Sequence, residues 1–79
     1  MTRSECFEAG PRAWSYDTCI KDVLPDGRSI GNATYYSATT SHHQSMVGAK
    51  YCAVVVGNVP KNTSDLAAWY ENNHKAELL

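Results

Sequence analysis

The chain has 79 residues, of which 43% are hydrophobic and 10% aromatic, so it has room for one domain with a small core. Seven basic and eight acidic residues give a formal net charge of −1. This balance argues against a basic face for nucleic-acid backbones and equally against an acidic mimic of nucleic acid. A protein or a small molecule is therefore the expected partner.

The sequence predicts a cytoplasmic protein without a membrane segment. The longest apolar run, residues 53–56, is far too short to cross a bilayer. The N-terminal sequence has no apolar signal-peptide core and carries Glu5 and Glu8. Three cysteines without a C-x-x-C pair are expected to be reduced thiols, with Cys52 in the core and Cys6 the exposed one.

The first half of the chain predicts an arm followed by a hairpin. Residues 1–12 are expected to form an N-terminal arm, and residues 13–79 a single domain. Alternation with a period of two over residues 14–20 predicts one strand, which stops at a turn over residues 24–27. A second strand is expected over residues 29–36, with a bulge at Gly31.

A short helix is predicted next, with its start set by a capping box. The Ser41 hydroxyl can accept from the amide three residues on, and the Gln44 side chain can reach back to the Ser41 amide. The helix is expected to end near Gly48 in a left-handed cap. With two turns it is too short to be stable alone, so it must pack on the hairpin.

The last third predicts a buried strand and a second helix. Residues 50–56 contain three consecutive valines and are expected to form the most buried strand. Thr63 or Ser64 is expected to cap a helix, with Asp65 in its first turn and an apolar stripe that begins at Leu66. The predicted fold class is therefore α+β, a small antiparallel sheet of about three strands with two helices in the order β-β-α-β-α. An exposed edge of that sheet would be a natural docking surface.

The histidines and cysteines do not predict a metal site. His42 and His43 are adjacent at the start of the expected helix and point in directions about 100° apart, so both cannot easily bind one ion. His74 stands alone near the C-terminus. We therefore expect neither a metal nor any other cofactor.

The sequence does not favour a hydrolase. It would pair Ser41, Thr39 or Thr40 with His43 and bring Asp17 across as the orienting carboxylate. The sequence has no Gly-x-Ser-x-Gly elbow, and so small a chain has little volume for a desolvated cleft. Hydroxyl residues before a helix are far more often caps, so the chain is predicted not to be an enzyme.

Anion and nucleic-acid binding have only weak signals. The amides that open the helix at Ser41 could hold an anion together with Arg28 or Lys50. Exposed tyrosines could stack on bases, but aromatic residues in strands are usually part of the core. Nucleic acid is therefore not the expected partner.

Two stretches carry a resemblance to known proteins. The sequence W-S-Y-D-T at residues 14–18 and the sequence G-N-A-T-x-Y-S-x-T-T-S-x-H-Q at residues 31–44 resemble short phage and prophage proteins. In those proteins a YDT-type strand is followed by a turn, and a YS-x-TTS-x-H box opens a helix. The resemblance covers residues 14–44 and does not include the last helix.

The resemblance implies a phage or mobile-element origin. By analogy with other phage-borne domains of this size, we expect an accessory protein that binds and inhibits a host protein, for which an anti-CRISPR protein acting on a surveillance complex is the most concrete form. A nucleic-acid-binding accessory protein and a virion or assembly component are the alternatives, and a homodimer stays open. The expected partner contacts are the polar residues around the predicted helix start and two exposed residues of the last helix: Tyr36, Thr39, Thr40, His42, His43, Glu71 and Asn72.

Overall fold

The computed structural model describes residues 6–74, which form a five-stranded sheet and two helices. The strands lie side by side in chain order: β1 (Cys6–Ala9), β2 (Arg12–Ser15), β3 (Thr18–Val23), β4 (Ser29–Asn32) and β5 (Val54–Val56). The helices are α1 (Ala38–Met46) and α2 (Leu66–His74), and a 3₁₀ turn spans Ala49–Tyr51. Neither helix of the described residues combines the length and the apolar character needed to span a bilayer.

The predicted antiparallel sheet of about three strands in the order β-β-α-β-α is wrong. The composition is α+β, but the order is β-β-β-β-α-β-α, and the sheet is mixed. The pairings from β1 to β4 are antiparallel, whereas β5 pairs with β4 in parallel. The parallel pairing arises because α1 carries the chain from the end of β4 back to the level of its start.

The additional strands come from two hairpins at the N-terminus. The predicted single strand over residues 14–20 is β2 and the start of β3, joined by a turn at Tyr16 and Asp17 in which Tyr16 has φ +57°. A two-residue turn preserves an alternation of period two, so the pattern did not reveal it. β1 lies within the predicted arm of residues 1–12 and pairs with β2.

A bulge in β3 directs its side chains to the two faces of the sheet. The register between β2 and β3 shifts between Ala13 and Trp14, which leaves Ile20 as an extra residue in β3. Ile20 and Lys21 consequently both contact the C-terminal end of α1. Asp22 then points to the opposite face and accepts from an amide in the first turn of α2.

Gly31 is not a bulge, contrary to the prediction. It lies in β4 with regular partners on both sides, Lys21 in β3 and Val55 in β5. A Cβ at Gly31 would lie 2.6 Å from the carbonyl carbon of Ala49 and closer still to its oxygen. The glycine is therefore required by the approach of the 3₁₀ turn to the sheet.

Apolar residues form one cluster on each face of the sheet. The cluster beneath α2 is the larger and is also contacted by Trp69 and Tyr70, as the predicted helical stripe requires. Its buried members are Cys19, Leu24, Ile30, Val56, Val59 and Leu66. The cluster on the α1 face contains Ala13, Ile20, Val47 and Ala49.

The start of α2 is capped by Asp65, and the prediction that Ser64 caps it is wrong. The amide of Ala68 donates to Asp65 Oδ1 at 3.0 Å, the contact that a capping carboxylate makes three residues on. Ser64 instead contributes its main-chain carbonyl, which accepts from Trp14 Nε1 at 2.9 Å. That bond ties the loop before α2 to the sheet.

Candidate functional site

The helix α1 begins four residues earlier than predicted, and its cap is Ser37. Ser37 has extended backbone angles, φ −163° and ψ 167°, and its Oγ accepts from the amide of Thr40 at 3.1 Å. The prediction that Ser41 caps the helix is therefore wrong. Ser41 lies within the first half of α1.

The proposed capping contact of Gln44 is also wrong. Gln44 is buried, and its Nε2 donates to the carbonyls of Asn32 at 2.6 Å and Thr34 at 2.9 Å. Both carbonyls belong to the segment that leaves β4, so Gln44 fastens the helix to the end of the strand. The prediction that Gln44 reaches back to Ser41 fails because its amide group is used by this segment.

Removal of the true cap is expected to destabilise the protein. Ser37→Ala loses the bond to the Thr40 amide and should lower the free energy of unfolding by about 1 kcal/mol. Ser41→Ala, one turn further on, should change it by less than about 0.5 kcal/mol. Urea denaturation of both variants measures the difference, and a larger loss for Ser41→Ala would contradict this assignment of the cap.

Thr40 and His43 are buried, so neither belongs to an exposed contact surface as predicted. Both hydrogen-bond to Ser15 of β2: Ser15 Oγ lies 3.0 Å from Thr40 Oγ1 and 2.7 Å from His43 Nδ1. All three residues are less than 5% exposed. The two predicted contact residues therefore attach α1 to β2.

This serine–histidine pair is closed to solvent. Ser15 and His43 are each about 1% exposed, and the Ser15 hydroxyl lies between His43 Nδ1 and Thr40 Oγ1. The alternative of a hydrolase, with Ser41, Thr39 or Thr40 against His43, is not assembled among the described residues, since the hydroxyl that lies against His43 is that of Ser15.

Tyr36, another predicted contact residue, is half-buried and uses its hydroxyl internally. The hydroxyl donates to the carbonyl of Val59 at 2.6 Å and accepts from Asn32 Nδ2 at 2.9 Å. Asn32 is fully buried, and its Oδ1 also accepts from the amide of Thr34. Tyr36 therefore helps to hold the segment between β4 and α1 in place.

The remaining predicted contact residues are exposed but do not form one surface. Thr39 and His42 lie on α1, whereas Glu71 and Asn72 lie on α2. The helices pack on opposite faces of the sheet, as the two separate apolar clusters show. The predicted ridge that combines both helices is therefore not assembled.

A polar cleft of about 350 Å³ opens beside the β2–β3 turn. Residues 15–18 form one wall, the start of α1 with Tyr36, Ser37 and Thr40 forms another, and Lys61 and Asn62 close it. Three segments that are far apart in the sequence contribute to this cleft, so no local sequence pattern predicts it. Two residues of the cleft, Tyr16 and Asn62, have a positive φ, and of these two only asparagine is a residue type that favours it; the φ of Asn62 is +68°.

Tyr16 stands at the edge of this polar cleft in an unfavourable backbone conformation. Its φ of +57° is rare for a bulky side chain and costs about 1–2 kcal/mol. The side chain is 52% exposed, and its ring centroid lies 6.1 Å from that of buried His43. The hairpin register and this ring contact hold the tyrosine in place.

A second surface, the β5 edge, consists of β5 and the adjacent 3₁₀ turn, with the exposed side chains of Tyr51 and Val55. β5 is the outermost strand of the sheet among the described residues. Tyr51 is 91% exposed although it lies in the 3₁₀ turn, and Val55 is about half exposed. Val55 points to the face that carries the 3₁₀ turn, since Val54 and Val56 contact the cluster beneath α2.

The described residues contain no group of three or more potential metal ligands. His42 and His43 are neighbours with ring centroids 6.4 Å apart, and His43 is committed to Ser15. The side chain of His74 lies outside the described part. The cysteines are free thiols, of which Cys19 is buried and Cys6 and Cys52 are half-buried, so the predicted burial of Cys52 is only partial.

The thiol of Cys19 is expected to resist modification in the folded protein. Burial raises its pKa from an ordinary value of 9.0 to about 11. Reaction with a disulfide reagent at pH 8 should therefore modify Cys6 and Cys52 rapidly and Cys19 only after denaturation.

The raised pKa of Cys19 also makes stability depend on pH. Because the folded pKa exceeds the unfolded one, the contribution of Cys19 to stability is complete below pH 9 and should be lost as the pH rises to about 11. Cys19→Ala should reduce that alkaline loss, and rapid modification of all three native thiols would contradict the assignment.

Comparisons with known proteins identify no relative of this chain. No family model matches the sequence. Neither the curated proteins nor the solved structures yield a match.

Proposed function

We propose that this chain is a small binding protein that acts by docking onto another protein and performs no chemistry of its own. The observation that supports this most strongly is the β5 edge, where a strand without an outer neighbour among the described residues lies beside a tyrosine that is 91% exposed. Edges of this kind accept an additional strand from a partner.

The main chain of Val55 is oriented to accept such a strand. The carbonyl of Val56 accepts from the amide of Ala33 at 2.8 Å, on the side of β4. The amide and carbonyl of one residue in a strand point to the same side, and the side alternates along the chain. Those of Val55 therefore point away from the sheet, where an extended peptide can pair with them.

The side chains beside this edge suit a protein partner. Val55 is apolar and Tyr51 amphipathic, and tyrosine is enriched in the buried centres of interfaces. Lys50 is the charged residue nearest in sequence to Tyr51 and Val55, and it is exposed. One positive charge does not form the basic face that a nucleic-acid backbone requires. The occupant that fits best is an extended, largely apolar segment of another protein.

Catalysis is the less favoured function for a physical reason. Ser15 and His43 form a hydrogen-bonded serine–histidine pair, but both are about 1% exposed, so a substrate cannot reach the Ser15 hydroxyl in this fold. Their geometry suits the attachment of α1 to β2. We therefore keep the proposal that the chain is not an enzyme.

The resemblance to short phage and prophage proteins narrows the partner. On that basis the partner is a host protein in the host-cell cytoplasm, and inhibition of a defence complex, as by an anti-CRISPR protein, is the most concrete form of the proposal. A virion or assembly component would use the same edge to bind another phage protein. Particle purification separates these two alternatives.

The test is affinity capture from host lysate with two edge variants and one matched control. Val55→Pro removes the outward-pointing amide of Val55, a change that is tolerated at a sheet edge, and Tyr51→Ser removes the exposed ring. Tyr35→Ser removes a ring that is 72% exposed on the segment between β4 and α1. We expect a specific host protein to be captured by the wild type and by Tyr35→Ser and to be lost with both edge variants.

The outcomes separate the competing functions. Capture that is unchanged in both edge variants would reject the β5 edge as the docking surface. Retention of DNA at physiological salt would favour a nucleic-acid-binding protein instead. Sedimentation of the purified chain as a dimer that Val55→Pro converts to a monomer would identify a second copy as the occupant and so reject the host partner.

A further inference from the structure

The polar cleft is a second candidate site, and docking at the β5 edge makes no use of it. We propose that this cleft binds a neutral polyhydroxylated ligand of about the size of one sugar ring. Its volume of about 350 Å³ is near the lower end of the range for small-molecule sites.

The inner wall of the polar cleft is complete without a ligand. Thr18 Oγ1 accepts from the amide of Asn62 at 2.9 Å, and Ser15 is bonded to His43 and Thr40. The Tyr36 hydroxyl likewise has its donor and its acceptor within the protein. The site is therefore preformed, and recognition falls to the side chains at its opening.

The opening carries three polar side chains that are left for a ligand. Asp17, Lys61 and Asn62 are exposed, and within residues 6–74 their side chains form no hydrogen bond or ion pair. A carboxylate accepts, an ammonium donates, and an amide does both. Adjacent hydroxyl groups, each a donor and an acceptor, are the ligand groups that can satisfy all three.

The charges at the opening favour a neutral ligand. One carboxylate, on Asp17, and one ammonium, on Lys61, sum to zero. A phosphate or other multiply charged anion attracted by Lys61 would also face the carboxylate of Asp17 and be repelled by it. A neutral polyol meets no such opposition.

Tyr16 supplies the apolar part of the site. A sugar ring has one face of C–H groups, and an aromatic ring with one face free can stack on it. The half-exposed Tyr16 ring stands at the edge of the cleft because the turn holds its backbone at φ +57°. Strain of this kind at a non-glycine residue is concentrated at binding sites, where it fixes the position of a side chain.

The test is a titration of ¹⁵N-labelled protein with methyl glucopyranoside, followed by the amide shifts. We expect saturable shifts at residues 15–18 and 61–62, with a dissociation constant on the order of millimolar, as suits a small polar ligand. Tyr16→Asn should weaken binding by about tenfold or more. Asparagine tolerates the positive φ, so this variant should be at least as stable as the wild type.

Matched probes make the outcome decisive. Tyr35→Asn removes an exposed tyrosine outside the cleft lining and should leave the dissociation constant unchanged. Inorganic phosphate and glycine, an anion and a zwitterion, should produce no saturable shift at these residues. Saturable shifts with either of them but not with the glucoside, or no shift with the glucoside, would overturn the proposal, as would equal binding by Tyr16→Asn.

Discussion

Gly31→Ala is expected to lower the free energy of unfolding by about 3 kcal/mol or more. The added methyl carbon would lie 2.6 Å from the carbonyl carbon of Ala49 and closer to its oxygen. The atoms that it meets are main chain, so no side-chain rotation can relieve the overlap. Either the 3₁₀ turn or β4 must move, and with it the parallel pairing to β5.

A loss of this size is large for a chain of 79 residues, whose total stability is about 4–12 kcal/mol. Thermal unfolding should show a midpoint lowered by more than about 10 °C. Gly57→Ala is the matched control, because its Cβ would meet nothing within 4 Å and its φ is not positive. It should be neutral or stabilise by about 0.4–1 kcal/mol through the unfolded chain. Equal midpoints for the two variants would contradict the close approach at Gly31.

Local turn chemistry was predictable from the sequence. The turn over residues 24–27 is present, with the Gly27 amide donating to the carbonyl of Leu24 at 2.9 Å. Gly48 ends α1 with φ +70°, as the predicted left-handed cap requires. Both depend on residues within a few positions of one another, and therefore a sequence pattern can identify them.

The start of α1 was not predictable, because two serines with similar local signals compete for it. Ser37 and Ser41 each precede residues that can form a helical turn. The choice is made by contacts with distant residues: Thr40 and His43 bond to Ser15, which is 25 and 28 residues away. A cap at Ser41 would remove Thr40 from the helix that brings it to β2.

The same contacts give the YS-x-TTS-x-HQ box of residues 36–44 a structural role. Tyr36, Ser37, Thr40, His43 and Gln44 all match its pattern, and each makes a hydrogen bond within the fold. The box therefore encodes the junction between β4 and α1. The groups left for a ligand, such as Asp17 and Lys61, lie outside it.

Asp22→Asn is expected to lower the free energy of unfolding by about 2–4 kcal/mol. Asp22 is 1% exposed, and both of its carboxylate oxygens accept from N–H donors. Oδ1 accepts from the amide of Val23 at 2.7 Å and pairs with Arg12 Nε at 2.9 Å, and Oδ2 accepts from the amide of Ala67 at 3.0 Å. An asparagine has only one acceptor, so its NH₂ group would be placed against one of these donors.

The expected effect falls on the attachment of α2 to β3, because Ala67 lies in the first turn of the helix. Urea denaturation measures the loss, and amide exchange of residues 66–70 should accelerate by more than that of β3. Asp26→Asn is the control, since Asp26 also pairs with an arginine, Arg28, but both side chains are more than half exposed. Exposed pairs contribute about 0–1 kcal/mol, so this variant should unfold close to the wild type. If the two variants lost equal stability, the bulge that turns Asp22 towards α2 would have no energetic role.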